Sequence, residues 1–84
     1  MFCYIPVEES LHNSEIGAYT TYGIRALELV ANEQLQRAFI SDVTPDFNLA
    51  HKLCAKLNQY QLDPSQLPEA VEDFLSRSPS LSGI

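Results

Sequence analysis

The sequence predicts an α+β domain: a three-stranded antiparallel meander covered on one face by two C-terminal helices. Three observations predict it. Up to about Val43 the chain is rich in aromatic and β-branched residues, broken by two short polar turns. Beyond that, a capping residue followed by proline occurs twice, at Thr44-Pro45 and Asp63-Pro64. After each, apolar residues recur at three- and four-residue steps, the spacing of one helix face.

Residues 2–11 read as the first strand. Pro6 cannot donate a ladder hydrogen bond, which places this strand at a sheet edge. His12-Asn13-Ser14-Glu15 is a polar turn, with Asn13 suited to a left-handed conformation. The run from Gly17 to Leu29 is the strongest strand signal, and Gly23 inside it marks a bulge or a close backbone approach. Ala31-Asn32-Glu33-Gln34 turns the chain again, and Leu35 to Val43 forms the third strand. Two short turns joining three strands specify a meander.

Thr44 is expected to cap the first helix, with Pro45 at its first position and Asp46 at the positive end of its dipole. Phe47, Ala50, Leu53, Cys54 and Leu57 make its apolar stripe. Asp63 caps the next segment, and Leu62 and Leu67 can staple it. Pro68 is awkward inside a helix. The expectation is therefore a short turn over 64–67 and a regular helix from Pro68 to about Arg77, burying Val71, Phe74 and Leu75. Residues 1–77 thus form a single domain. Residues 78–84, rich in serine with a proline and a glycine, read as a frayed tail.

Size and charge exclude several function classes. At 84 residues the chain is too short for a barrel or two-domain enzyme. Its net charge of −6 opposes binding to nucleic acid or to an anionic membrane surface. The charge is uneven: residues 1–42 carry −4 and residues 43–84 carry −2. The second helix, with Glu69, Glu72 and Asp73, would repel phosphates, which disfavours a helix-turn-helix role. No apolar run approaches the ~20 residues of a membrane helix, and the apolar start lacks the basic residues of a signal peptide. A cytoplasmic protein is expected. Cys3 and Cys54, the only two cysteines, are expected to stay free thiols.

Three strings in the chain resemble a known family: Gly17-Ala18-Tyr19-Thr20-Thr21-Tyr22-Gly23-Ile24, Ile40-Ser41-Asp42-Val43, and Leu67-Pro68-Glu69-Ala70-Val71-Glu72-Asp73-Phe74-Leu75. Over residues 15–75 the chain is similar to short proteins from Firmicutes catalogued as a domain of unknown function. The resemblance implies a compact intracellular bacterial protein and carries no catalytic or binding residue with it.

The chemistry-bearing residues favour plain readings. Cys54 and His51 stand three apart on the first helix, near enough for a nucleophile pair or half a metal site. Cys54, however, lies within the apolar stripe, where a thiol acts as a small hydrophobe. A structural zinc site needs about four ligands, and no tight ligand pair is present. Glu72 and Asp73 are adjacent on a helix and point about 100° apart, so they do not converge on one atom. Glycines 17, 23 and 83 are too dispersed to cradle a phosphate. No catalytic, cofactor or metal residue is assigned. The alternative is a small thiol-dependent enzyme or redox protein using Cys54 with His51.

The sheet faces carry the positive reading. Strict alternation sends Tyr19 and Tyr22 to opposite faces. Arg25, Leu27 and Leu29 then share the face of Tyr19, while Ile24 and Ala26 share that of Tyr22. Two helices can cover one face only, which leaves an apolar surface of the kind that marks an interaction site. A bulge at Gly23 would instead rotate both tyrosines to one side. The expected role is a non-catalytic interaction or regulatory module, either a homodimer or bound to an unidentified protein partner. Its candidate interface residues are Tyr19, Thr21, Arg25, Leu27, Phe2 and Tyr4. The third-strand edge is a second expected route, because no proline blunts it.

Overall fold

A computed structural model describes residues 1–77, and its elements fall in the expected order. β1 (Phe2–Asn13), β2 (Gly17–Val30) and β3 (Glu33–Thr44) form one antiparallel sheet in the order β1-β2-β3. Helix α1 (Phe47–Tyr60), a 3-10 turn (Pro64–Gln66) and helix α2 (Leu67–Arg77) follow. The fold is the α+β meander with two helices on the sheet. The tail expected over 78–84 lies outside the described residues.

Local chemistry sets the turns. Asn13 does not take the left-handed conformation expected of it. Its side chain accepts from the backbone N–H of Glu15 at 2.7 Å, and the positive φ of 81° falls on Gly17. The β2–β3 turn is tighter than expected. Ala31 and Asn32 alone span it, both at positive φ (49° and 67°), the twist a two-residue hairpin requires.

The cap of α1 differs by two residues from the sequence reading. Asp46, not Thr44, is the N-cap, accepting from the N–H groups of Asn48 (2.9 Å) and Leu49 (3.3 Å). Thr44 ends β3, and its hydroxyl accepts from the N–H of Asp46 at 3.1 Å. Pro45 therefore precedes the helix. Asp63 caps the 3-10 turn as expected, with Pro64 at its first position. Pro68 stands in the first turn of α2, where the N–H it lacks has no helical partner to lose.

Between sheet and helices lies the core: Tyr4, Ile24 and Ala26 from the strands, Leu53, Cys54 and Leu57 from α1, Leu67 and Val71 from the α2 segment. Ala50 is buried beside them. Phe47, expected in the buried stripe, is 50% exposed, meets Tyr22 edge to face and stacks with His51.

Register fixes the faces, because paired residues in an antiparallel ladder point the same way. Tyr4 pairs with Ala26 and Pro6 with Ile24, on the helix side. Cys3 pairs with Leu27, Ile5 with Arg25, Val7 with Gly23, Glu9 with Thr21 and Leu11 with Tyr19, on the opposite side. The β1–β2 register runs unbroken through Gly23, so no bulge turns the tyrosines together. Tyr22 packs on Phe47 of α1, and Tyr19 lies on the far face. The irregularities are in the β2–β3 ladder instead, opposite Tyr22–Ile24 and Ala26–Leu27.

Candidate functional site: the open face of the sheet

The far face of the sheet is covered by none of the described elements, and its centre is set by Gly23. A Cβ there would stand 2.5 Å from the carbonyl oxygen of Ile40, 2.8 Å from Glu9 Oε1 and 2.9 Å from the Phe39 ring. The close-approach reading of this glycine is therefore the right one. It lets β3 fold in against β2 and lays the partly exposed Phe39 ring across the middle of the face.

At one end of this face is a polar group. Asp42 has φ 55°, and this left-handed residue brings its N–H to Glu9 Oε1 (2.8 Å). The hydroxyl of Ser41 donates to Glu9 Oε2 (2.8 Å), and that of Tyr19 donates to Asp42 Oδ2 (2.9 Å). The hydrogen bond to Asp42, with the nearby carboxylate charges, pushes the Tyr19 hydroxyl above the usual tyrosine range. Two carboxylates thus stand side by side. Among the described residues neither takes part in an ion pair, in contrast to Glu28, which pairs with Arg37 at 2.9 Å.

Arg25 lies beyond Gly23, between Ile5 on one side and Phe39 on the other. Its Nε is buried and has no acceptor. An unsatisfied guanidinium nitrogen among apolar neighbours is costly unless another group meets it. Past Arg25 the face is apolar on β1 and β2, with Leu27 and Cys3 in register and Leu29 exposed, and polar on β3, where Gln36 and Gln34 pair with Leu27 and Leu29.

Of the six residues assigned to the interface from sequence, Tyr19, Arg25 and Leu27 share the open face. Thr21 belongs to that face by register but is fully buried, its hydroxyl without a partner. Phe2 and Tyr4 are on the wrong side. The ladder pairs them with Glu28 and Ala26, so they face the helices; Tyr4 is 1% exposed and donates its hydroxyl to the Leu62 carbonyl. Glu9, Asp42 and Phe39 were missed. For Phe39 and Asp42 the signal was weak, because the β3 irregularity opposite Gly23 breaks the alternation that would assign them to a face; Glu9 could have been placed by the unbroken alternation of β1.

The Phe2–Pro6 half of the first-strand edge is closed by a device that was also missed. The Asn58 side chain accepts from the Tyr4 N–H (2.6 Å) and donates to the Tyr4 carbonyl (3.0 Å). Gln61 does the same for Phe2, at 2.9 Å each way. Side-chain amides from the last turn of α1 and from its C-cap residue thus occupy the backbone groups that another strand would use here, and Pro6 removes the next donor. The third-strand edge carries both ladder irregularities, which likewise disfavour strand addition.

Cys54 and His51 do not form a working pair. Cys54 is 3% exposed, and burial pushes its thiol up to about 12. His51 is exposed and stacks on Phe47, with ring centroids 5.9 Å apart. Among the described residues, no group of three or more His, Cys, Asp or Glu side chains could hold a metal ion. No helix of the described residues is long and apolar enough to cross a membrane.

Residues 1–77 match the family of unknown function DUF6514. The chain belongs to this family. No curated protein and no solved structure matches the chain. The DUF6514 match spans every described element, so the open face and the clamped half of the β1 edge both lie within the family's extent.

Proposed function

We propose that this protein is a non-catalytic, self-associating interaction module whose docking surface is the open face of the sheet. One observation carries the reading: a sheet face with apolar residues from all three strands holds a half-buried arginine without a partner. Size is compatible. A face three strands wide at ~4.8 Å and about ten residues long at ~3.3 Å covers roughly 475 Å². Two copies face to face then bury close to the ~1,000 Å² at which specific interfaces begin. The clamped first half of the β1 edge and the irregular β3 edge favour the face over strand addition.

The thiol alternative is weakened by Cys54. A thiol ionising only near 12 holds almost no thiolate at neutral pH, and the thiolate is the nucleophile.

Gel filtration with light scattering at high micromolar concentration tests the proposal. The expected mass is twice the 9.4 kDa of one chain. A 9.4 kDa species throughout the concentration range overturns it.

A further inference from the structure

The pattern along the open face fixes how two copies meet. Level by level along β1 and β2 it reads Leu11 with Tyr19, Glu9 with Thr21, Val7 with Gly23, Ile5 with Arg25, and Cys3 with Leu27. The pattern is self-complementary about the middle level. Reversing it end for end places Arg25 against Glu9, and Leu27 with Cys3 against Tyr19 with Leu11.

Resting on the self-association reading, we propose that the second copy docks face to face about a two-fold axis crossing the strands at Gly23 and Val7. Arg25 of each copy then meets the Glu9–Asp42 carboxylates of the other. An axis in this orientation reverses the strand direction and leaves the order of strands across the sheet unchanged. Arg25 therefore arrives one strand spacing, ~4.8 Å, to the side of the partner's Glu9. Packed sheets stand ~10 Å apart, a gap that an extended arginine and a glutamate together span.

The polar accounting agrees with the geometry. Within one chain the Arg25 Nε has no acceptor, while Glu9 and Asp42 share three neutral donors and no cation. The other charged residues of β1 and β2 do not compete. Glu8 and Glu28 face the helix side, Glu28 is held by Arg37, and Glu15 lies in the β1–β2 turn. The symmetric contact is made twice per dimer and closes on itself, so no open-ended assembly follows.

Charge reversal tests the register. Arg25→Glu alone and Glu9→Arg alone are each expected to raise the dimer dissociation constant roughly tenfold or more, since each creates two like-charge contacts. An equimolar mixture restores a heterodimer with both contacts favourable, read by native mass spectrometry.

Glu9→Arg also removes the acceptor for the Asp42 N–H, a loss that bears on folding itself, so a second measurement stands independently. In Leu11→Cys, residue 11 lies about 26 Å from Cys3 within one chain, eight residues at ~3.3 Å. Across the proposed axis the two are one sheet gap apart. A bismaleimide spanning ~10 Å is expected to link Leu11→Cys chains into covalent dimers and to leave the wild type unlinked.

A dimeric wild type whose Leu11→Cys variant stays unlinked overturns the register and leaves self-association standing. So does a mixture of folded reversal variants that fails to pair. A monomeric wild type overturns both proposals.

Discussion

At the residue scale, Gly23 and Cys54 were each read from one local pattern, and the structure gives each a measurable consequence. Gly23→Ala sets a Cβ 2.5 Å from the Ile40 backbone oxygen, which cannot move without displacing β3. The expected loss is about 1–3 kcal/mol in urea unfolding, the scale of an overpacked site. No loss would mean that β3 sits further from β2 at this point. Cys54 makes a prediction about pH. Burial raises its thiol from the usual 9.0 to about 12. Below pH 9 both folded and unfolded chains keep the proton, and the thiol costs no stability. From pH 9 to 12 only the unfolded chain releases it, so stability falls as pH rises. Tyr4, also raised by burial, acts in the same direction. Cys54→Ala is therefore expected to flatten the decline in urea midpoint between pH 8 and pH 11 without abolishing it. An identical slope in the variant would show that the thiol ionises freely in the folded state.

At the scale of elements, the strands and helices were legible because their signals are local: β-branched runs, Pro after a cap, apolar steps of three and four. What was not legible depends on two elements meeting. The helix stripe identified Leu53, Cys54 and Leu57, but nothing in the pattern of α1 shows that Asn58 and Gln61 reach the outer edge of β1. The same limit explains Phe2 and Tyr4: alternation separates the residues of a strand into two sets and is silent on which set the helices cover. The amide clamp has its own test. Asn58→Ala removes both partners of the Tyr4 backbone, at an expected cost of about 1–3 kcal/mol for partly buried groups left unpaired. Faster exchange of the Tyr4 amide hydrogen is the direct readout. Unchanged exchange would mean that water replaces the clamp at no cost. The cap of α1 gives a smaller effect: Asp46→Ala frees two N–H groups and is expected to cost about 1 kcal/mol.

At the scale of the whole molecule, a chain of 84 residues with one sheet and one helical layer has few ways to gain stability alone. Cores of this size supply only a few kcal/mol, and this chain has neither a disulfide nor a metal cluster among its described residues. The sequence pattern had already pointed to one uncovered face, because two helices cannot cover both sides of a three-stranded sheet. The polar detail that makes the face self-complementary arises only once the β3 irregularity brings Asp42 to Glu9. If a second copy is what covers this face, folding and association are linked, and stability depends on protein concentration. The thermal midpoint of the wild type is then expected to rise by several degrees from low to high micromolar chain. A ΔΔG of 1 kcal/mol corresponds to roughly 4–8 °C for a domain of this size. Tyr19→Glu places a carboxylate beside Asp42, on the apolar level opposed to Leu27 and Cys3 of the second copy. It should hold the midpoint constant over the same range while leaving the far-ultraviolet dichroism unchanged. A midpoint independent of concentration in the wild type would mean that the chain folds as a monomer and that the open face contributes nothing to its stability.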